Sequence, residues 1–335
     1  MVFFFLFPIA VFLINFFIKK NKLFLNDYQL DHQKLTNNQV SLIGGYFLVI
    51  PIIFFFEGNY IFFSIIFFLI FLLGIFSDLN ILSSPKKRFL LQFFLILIFV
   101  FINKIEVFPT RIDFIDDHLS RTFWSYIFTV FCLMILLNGS NFIDGLNGLL
   151  LGYILIIFFI LLKLNLITNF DVSNEKLHLI VYILLIIYIF NLFNQFFLGD
   201  SGAYSLSFLI GFMLIEIYSK NLFISPYFII LLLWYPCFEN FFSILRKLNK
   251  KKSILEPDNL HLHQLIFILI KKKIKINNLV ANVISGLLIN FFNLILLYVG
   301  SSDPYDTKFQ LNLLLVAILL YVVSYISISN NLKKT

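Results

Sequence analysis

Residues Ile61–Arg88 read IFFSIIFFLIFLLGIFSDLNILSSPKKR, and this stretch decides the fold. Its first sixteen residues, 61–76, carry no charge, and an uninterrupted apolar run of this kind reads as a bilayer span even where it falls short of roughly 20 residues. An acid, Asp78, then closes the run, and a basic triplet, Lys86, Lys87 and Arg88, opens the next. The same alternation continues outward in both directions. Apolar runs recur at 2–18, 42–56, 89–102, 124–137, 149–162, 178–193, 203–218, 222–242, 279–299 and 309–329, which with 61–76 makes eleven expected spans.

Composition agrees with that reading. The chain has 335 residues, 60% apolar and 13% charged, against roughly 45–50% and about 25% in a soluble domain, so a soluble globule is excluded. Spans that pack on one another in one bilayer form one unit, and residues 1–335 are read as a single transmembrane domain. Because a backbone in hydrocarbon must satisfy its own hydrogen bonds, the fold class is all-α, a polytopic integral membrane protein. Cys132 and Cys237 both fall in or beside apolar runs and support neither a disulfide framework nor a zinc site. The net charge of +7 belongs to the loops that orient spans and not to a nucleic-acid-binding surface.

The basic residues also assign the sides. No basic residue precedes the first run, while Lys19 and Lys20 follow it, a polarity opposite to that of a cleaved secretory signal. The expectation is an N-terminus outside and, after eleven spans, a cytoplasmic C-terminus. Eighteen of the 25 basic residues, Lys34 among them, then lie on the cytoplasmic side, as the positive-inside rule requires. The outer segment Asn103–Trp124, with Asp113, Asp116 and Asp117, is expected to be a solvated loop.

Four polar segments interrupt the runs on the cytoplasmic side: 77–88, 138–148, 195–202 and 243–278. Each is two spans from the next, so the chain returns to the same face each time, and Asp78, Asp144, Asp200 and the His261/His263 pair are expected to converge there. Carboxylates at span ends are costly and more often functional or paired. In NGSNFIDGLNGLL, residues 138–150, the polar residues Asn138, Asn141, Asp144 and Asn147 recur every three positions and would share a helical stripe. Oxygen ligands of this type suit a hard cation such as Mg²⁺, although a structural turn with an Asn cap has the same composition. Asp200 stands between glycines ahead of a span, where a helix cap is the alternative. In the last segment Arg246 and the lysines supply positive potential, while His261, His263 and Asp258 are too few and too spaced for zinc and better suited to hydrogen-bonding phosphate.

With these residues quoted, the chain resembles the polyprenyl-phosphate N-acetylhexosamine-1-phosphate transferases of glycosyltransferase family 4, which start O-antigen and related envelope glycans and are relatives of phospho-N-acetylmuramoyl-pentapeptide transferase. The matching motifs are LIGGYF at Gly44 and Gly45, SDLNILSSPKKR at Asp78, NFIDGLNGLL at Asn141, Asp144 and Asn147, GDSGAY at Asp200, and LHLHQ at His261 and His263. The resemblance implies eleven spans in the inner membrane, an active site facing the cytoplasm, a UDP-sugar donor, undecaprenyl or another polyprenyl phosphate as acceptor, and Mg²⁺, or Mn²⁺ in its place. It makes Asp200 the first metal ligand and Asp144 the second. Asn141 and Asn147 become hydrogen-bonding partners of substrate, and Asp78 positions the lipid phosphate together with Arg246, His261 and His263. Three departures stand out: Ser77 occupies the place of a first acid beside Asp78, Gln264 follows His263 where the family has a further histidine, and Ser41 and Leu42 stand where basic and proline residues are usual before the paired glycines. The competing readings are a catalytically inactive relative serving as lipid-binding scaffold or transporter, and an intramembrane aspartyl protease, for which nothing in the sequence fixes a carboxylate pair.

Overall fold

A computed structural model describes residues 2–23, 40–56, 60–107, 109–166, 174–251, 253 and 260–334 of the protein. Lys34 and Asp258 lie outside the described residues. In chain order the helices are α1 (Val2–Lys20), α2 (Gly44–Ile53), α3 (Ile61–Asp78), α4 (Pro85–Asn103), α5 (Asp113–Leu119), α6 (Thr122–Ile143), α7 (Leu149–Lys163), α8 (Asn174–Leu192), α9 (Gly199–Lys220), α10 (Pro226–Asn249), α11 (Leu262–Lys273), α12 (Asn278–Gly300) and α13 (Thr307–Lys334).

Each of the eleven apolar runs falls on one of these helices. Eight, α1, α3, α6, α8, α9, α10, α12 and α13, are long and apolar enough to cross a bilayer, and they make the chain a polytopic membrane protein. The helices α2 and α7 are shorter, at 10 and 15 residues, and α4 carries Lys86, Lys87 and Arg88 in its first turn after Pro85. Two helices occupy segments read as loops. In the 103–124 segment α5 forms because the Asp116 carboxylate accepts the N–H and hydroxyl of Thr110, both at 2.7 Å, and the Arg111 N–H at 3.0 Å. In the last polar segment α11 begins immediately after His261.

The core is organised around α9, which packs against α2, α3 and α6 and is buried along nearly its whole length. Ser205 and Ser207 are tolerated there because they bond back to the helix, Ser205 Oγ donating to the Ser201 carbonyl at 2.7 Å and Ser207 Oγ to the Ala203 carbonyl. Close approach to α3 depends on Gly74, where a Cβ would lie 2.2 Å from the Ser201 Cα. The segment before α2 is clipped to the segment before α9: Phe197 donates to the Ser41 carbonyl at 2.9 Å, and Gly44 and Gly45 donate to the Phe197 and Leu198 carbonyls at 3.0 Å. Pro236 interrupts the backbone ladder of α10 and frees the carbonyl four residues before it. Tyr153 Oη donates to that Leu232 carbonyl at 2.9 Å, so the break is satisfied inside the bundle. At the opposite end of the bundle Arg111 ties three connections together, with Nη2 at 2.9 Å from the Leu222 and Phe223 carbonyls and Nη1 at 2.7 Å from Thr307 Oγ1.

Candidate active site

The polar ends of α3, α4, α6 and α9 meet at one end of the bundle. At its centre is the start of α9, whose first N–H groups have no partner within the helix. Leu198, the residue preceding it, supplies no side-chain cap. Asp78, from the last turn of α3, takes that role: Oδ1 accepts the Asp200 N–H at 2.8 Å and Oδ2 accepts the Ser201 N–H at 3.1 Å. A carboxylate there also faces the positive end of the helix dipole. Gly199 is required for the fit, because its φ is +77° and a Cβ would stand 2.7 Å from Asp78 Oδ2.

With the cap supplied from α3, the Asp200 carboxylate is turned elsewhere. Its Oδ2 accepts from Ser77 Oγ at 2.5 Å, from Arg88 Nη1 at 2.9 Å and from Tyr204 Oη at 3.3 Å. Arg88 Nη1 also donates to Ser77 Oγ. The side chains of Arg88 and Asp200 remain 27% and 24% exposed, enough for an incoming ligand to reach either. Asn141 joins from α6, with Nδ2 donating to Tyr204 Oη at 3.3 Å. Asp144 caps the end of α6 three residues further on, with its backbone N–H on the Ser140 carbonyl and its residue partly exposed.

The expected residues therefore divide. Asp78, Asp200 and Asn141 are brought together, with Asp144 on the same turn of α6 as Asn141. Asn147 is placed in a buried amide network instead: its N–H donates to Asn282 Oδ1 at 2.7 Å and its Nδ2 to Asn194 Oδ1 at 3.1 Å. Its environment fixes the turn between α6 and α7, where the next N–H, that of Gly148, donates to Asn191 Oδ1 at 2.6 Å. Arg246 lies buried near the end of α10, its guanidinium over the rings of Phe242 and Tyr325.

The histidines form a second cluster, joined to the first through α6. His261 packs at a tilt against Phe142, with ring centroids 5.1 Å apart, and stacks on His263 at 5.5 Å. Its Nδ1 lies 2.9 Å from Oε1 of Glu239, a fully buried acid of α10. His263 sits behind it with no exposed surface, and neither ring nitrogen meets a hydrogen-bond partner among the described residues. Burial pushes its imidazole down to about 3, outweighing the attraction of Glu239. His263 is an uncharged ring at neutral pH, and His261 beside it is buried as well. Gln264, standing where a histidine is usual in the resemblance, accepts the His261 N–H at 3.2 Å and helps start α11.

Three residues of the site were not singled out from sequence. In the sequence Arg88 is only one member of a basic triplet and Tyr204 only the end of a motif. Glu239 is the lone acid in the apolar run 226–245, and an ionisable residue in such a run is a signal in its own right.

Among the described residues no three His, Cys, Asp or Glu side chains form a metal cage. Mg²⁺ needs none, since it takes one or two carboxylates and completes its shell with water and substrate phosphate. Asp200, partly exposed and with the Ser77 and Tyr204 oxygens beside it, fits that requirement.

Comparison with known proteins agrees with this chemistry. The model of the family described as glycosyl transferase family 4 matches residues 60–218, which contain Asp78, Arg88, Asn141, Asp144 and Asp200. A Bacillus subtilis protein named "Probable undecaprenyl-phosphate N-acetylglucosaminyl 1-phosphate transferase" is 29% identical over 205 residues, 58% of this chain and 55% of that relative. The match thus spans about half the length of the relative.

Proposed function

We propose, from the match of residues 60–218 to the model of glycosyl transferase family 4 and the likeness to the Bacillus subtilis relative, that the chain is a transferase of this family and moves N-acetylhexosamine-1-phosphate from a UDP-sugar to polyprenyl phosphate. A lipid phosphate oxygen attacks the sugar-side phosphorus of the donor. The bond from that phosphorus to the bridging oxygen breaks, and UMP leaves with the electron pair. The product is a lipid-linked diphospho-sugar, the first intermediate of an envelope glycan such as O-antigen.

The observation that carries this reading is the pairing of Asp200 with Arg88 at the capped start of α9. Phosphoryl transfer is mostly positioning and charge neutralisation, and the site offers an acid and a guanidinium that a phosphate can separate. Arg88 then moves from carboxylate to phosphate oxygen, for which its planar donors are suited. Asp200 and Asp144 would hold Mg²⁺, or Mn²⁺, and the bound cation supplies neutralisation of the diphosphate charge. Asn141 and Tyr204 orient the Asp200 carboxylate and border the donor. Ser77 need not be an acid, because a phosphate monoester with a second pKa near 6 is already mostly dianionic at pH 7. A side-chain base is dispensable for the attack.

The reading places the site on the cytoplasmic face of the inner membrane, with eleven spans and the N-terminus outside. The excess of basic residues in the segments at this end of the bundle supports that orientation. The test is to incubate purified protein with polyprenyl phosphate, Mg²⁺ and a panel of labelled UDP-sugars. Label from a UDP-N-acetylhexosamine should enter the lipid phase with equimolar UMP. UMP release that ignores the lipid would instead make the protein a hydrolase.

A further inference from the structure

Asn191, in the last turn of α8, has no part in the reaction just described and is only 4% exposed. Its side-chain amide nevertheless touches both segments that carry acids proposed for the cation. Oδ1 accepts the Gly148 N–H at 2.6 Å, and Nδ2 donates to the Phe196 carbonyl at 3.0 Å. Gly148 is four residues after Asp144, and Phe196 is four residues before Asp200. One amide therefore stands at the root of two short arms, each ending in a carboxylate.

The two arms are otherwise anchored to different partners. On the Asp144 side, Gly148 has a φ of +75° and its carbonyl accepts Asn290 Nδ2 at 2.9 Å, while Asn282 takes the Asn147 N–H at 2.7 Å. Both asparagines belong to α12, and a Cβ at Gly286 of the same helix would lie 2.9 Å from the Asn147 carbonyl oxygen, so α12 presses on this turn. On the Asp200 side the backbone of 197–198 is bonded to Ser41, Gly44 and Gly45, and Asp78 caps the start of α9. Asn191 bonds to both arms. Asn194 reinforces its grip on the turn by accepting Asn147 Nδ2 at 3.1 Å. An amide suits the task because it accepts and donates from one rigid plane, and a buried polar group with both ends engaged specifies one arrangement of its neighbours.

We propose that Asn191 is a positioning residue: it fixes the turn 144–148 relative to the segment 196–200, and so sets the spacing at which Asp144 and Asp200 are offered to a divalent cation. Mg²⁺ demands near-octahedral geometry with oxygens at about 2.0–2.1 Å, so two carboxylates on separately anchored arms serve it only if the arms are held in register. The side chain that couples the arms then acts on metal affinity without touching the metal. The metal half of this inference rests on the transferase reading; the coupling of the two segments does not.

Hydrogen exchange of the full chain in detergent, read by mass spectrometry, tests the coupling. Asn191→Leu is close in volume and leaves the Gly148 N–H and the Phe196 carbonyl without their partner. It should speed exchange on the order of tenfold in peptides covering 144–149 and also in those covering 195–201. Asn282→Leu removes a hydrogen bond from the same turn but leaves Asn191 in place, and should speed the first segment alone. One segment or neither loosened in Asn191→Leu overturns the proposal, and so does equal loosening of both segments in both variants, the mark of general destabilisation. If Asn191→Leu yields no folded protein, the smaller Asn191→Ser carries the same comparison. Electron paramagnetic resonance titration and the transfer assay test the purpose of the coupling. Asn191→Leu should weaken Mn²⁺ binding by roughly tenfold, leave the KM for polyprenyl phosphate within about twofold, and regain most of its rate at saturating Mg²⁺. A lost rate that Mg²⁺ does not restore, with Mn²⁺ affinity unchanged, would leave Asn191 a packing role only and overturn the metal half. If wild-type protein transfers no sugar phosphate, the transferase reading and the metal half fall together, while the exchange comparison still decides whether Asn191 couples the two segments.

Discussion

Asp78 caps the helix that carries Asp200, accepting the backbone N–H of Asp200 itself at 2.8 Å. The two acids are 122 positions apart in the chain and do different work in one place. Asp78 satisfies the start of α9, which leaves the Asp200 carboxylate facing Arg88 and the open side of the site.

That division predicts separable phenotypes at Asp78. Asp78→Asn retains one acceptor oxygen and should keep most of the stability, whereas Asp78→Leu leaves two helix-start donors unpaired. The second variant should lose about 1–2 kcal/mol, in the range measured for lost caps, together with most activity. Thermal unfolding in detergent and the lipid-transfer assay check both.

Asp200→Asn keeps size and shape and removes the charge. If the carboxylate holds the cation that neutralises the diphosphate, the rate should fall on the order of 100-fold or more, with melting temperature and monodispersity unchanged. Full Mg²⁺-dependent activity in a well-folded sample would remove Asp200 from the metal site.

Arg88 and a divalent cation compete for the same carboxylate. Arg88→Gln should therefore tighten Mn²⁺ binding in the absence of substrate by roughly tenfold, since a cationic competitor 2.9 Å from Oδ2 is gone. Turnover should fall at the same time, because the guanidinium no longer reaches phosphate. Electron paramagnetic resonance titration of Mn²⁺ reads the first effect and the transfer assay the second; weaker Mn²⁺ binding in the variant would contradict the competition.

His263 makes stability depend on pH in a defined direction. Its folded-state value of about 3 lies below the ordinary 6.5, so below pH 6.5 the unfolded chain takes up a proton that the folded chain refuses. Stability is complete above about pH 6.5 and is lost as pH falls from there toward 3, by about 1.4 kcal/mol per pH unit. Melting temperatures at pH 7 and pH 5 should differ more in wild type than in His263→Gln.

Much of the architecture is legible from sequence because apolar runs and their polar ends are local features. Each of the eleven runs falls on a helix, and the two-span spacing correctly brings 77–88, 138–148 and 195–202 to one end. What escapes is set by partners distant in the chain. Nothing near Asp78 says that its oxygens end on the amides of Asp200 and Ser201. Asn147 looks like its neighbour Asn141, but Asn194 and Asn282 engage it in the bundle interior. Glu239 is visible as an isolated acid, yet its meaning depends on where α11 begins, and α11 lies in a segment whose lysines suggest a loop.

The backbone clip between Ser41–Gly45 and Phe196–Leu198 sets a timetable for biogenesis. Roughly 150 residues separate its two sides, and at about 5–20 residues per second the ribosome needs some 8–30 seconds to deliver the second after the first. During that interval α2 and α3 sit in the membrane with the amides of Gly44 and Gly45 lacking their final partners, and Gly74 facing a groove that α9 has yet to fill. A nascent chain stalled before α9 therefore contains no partial catalytic centre. It contains an open helical bundle with unsatisfied backbone in or near lipid, an aggregation-prone state that only the arrival of α9 closes.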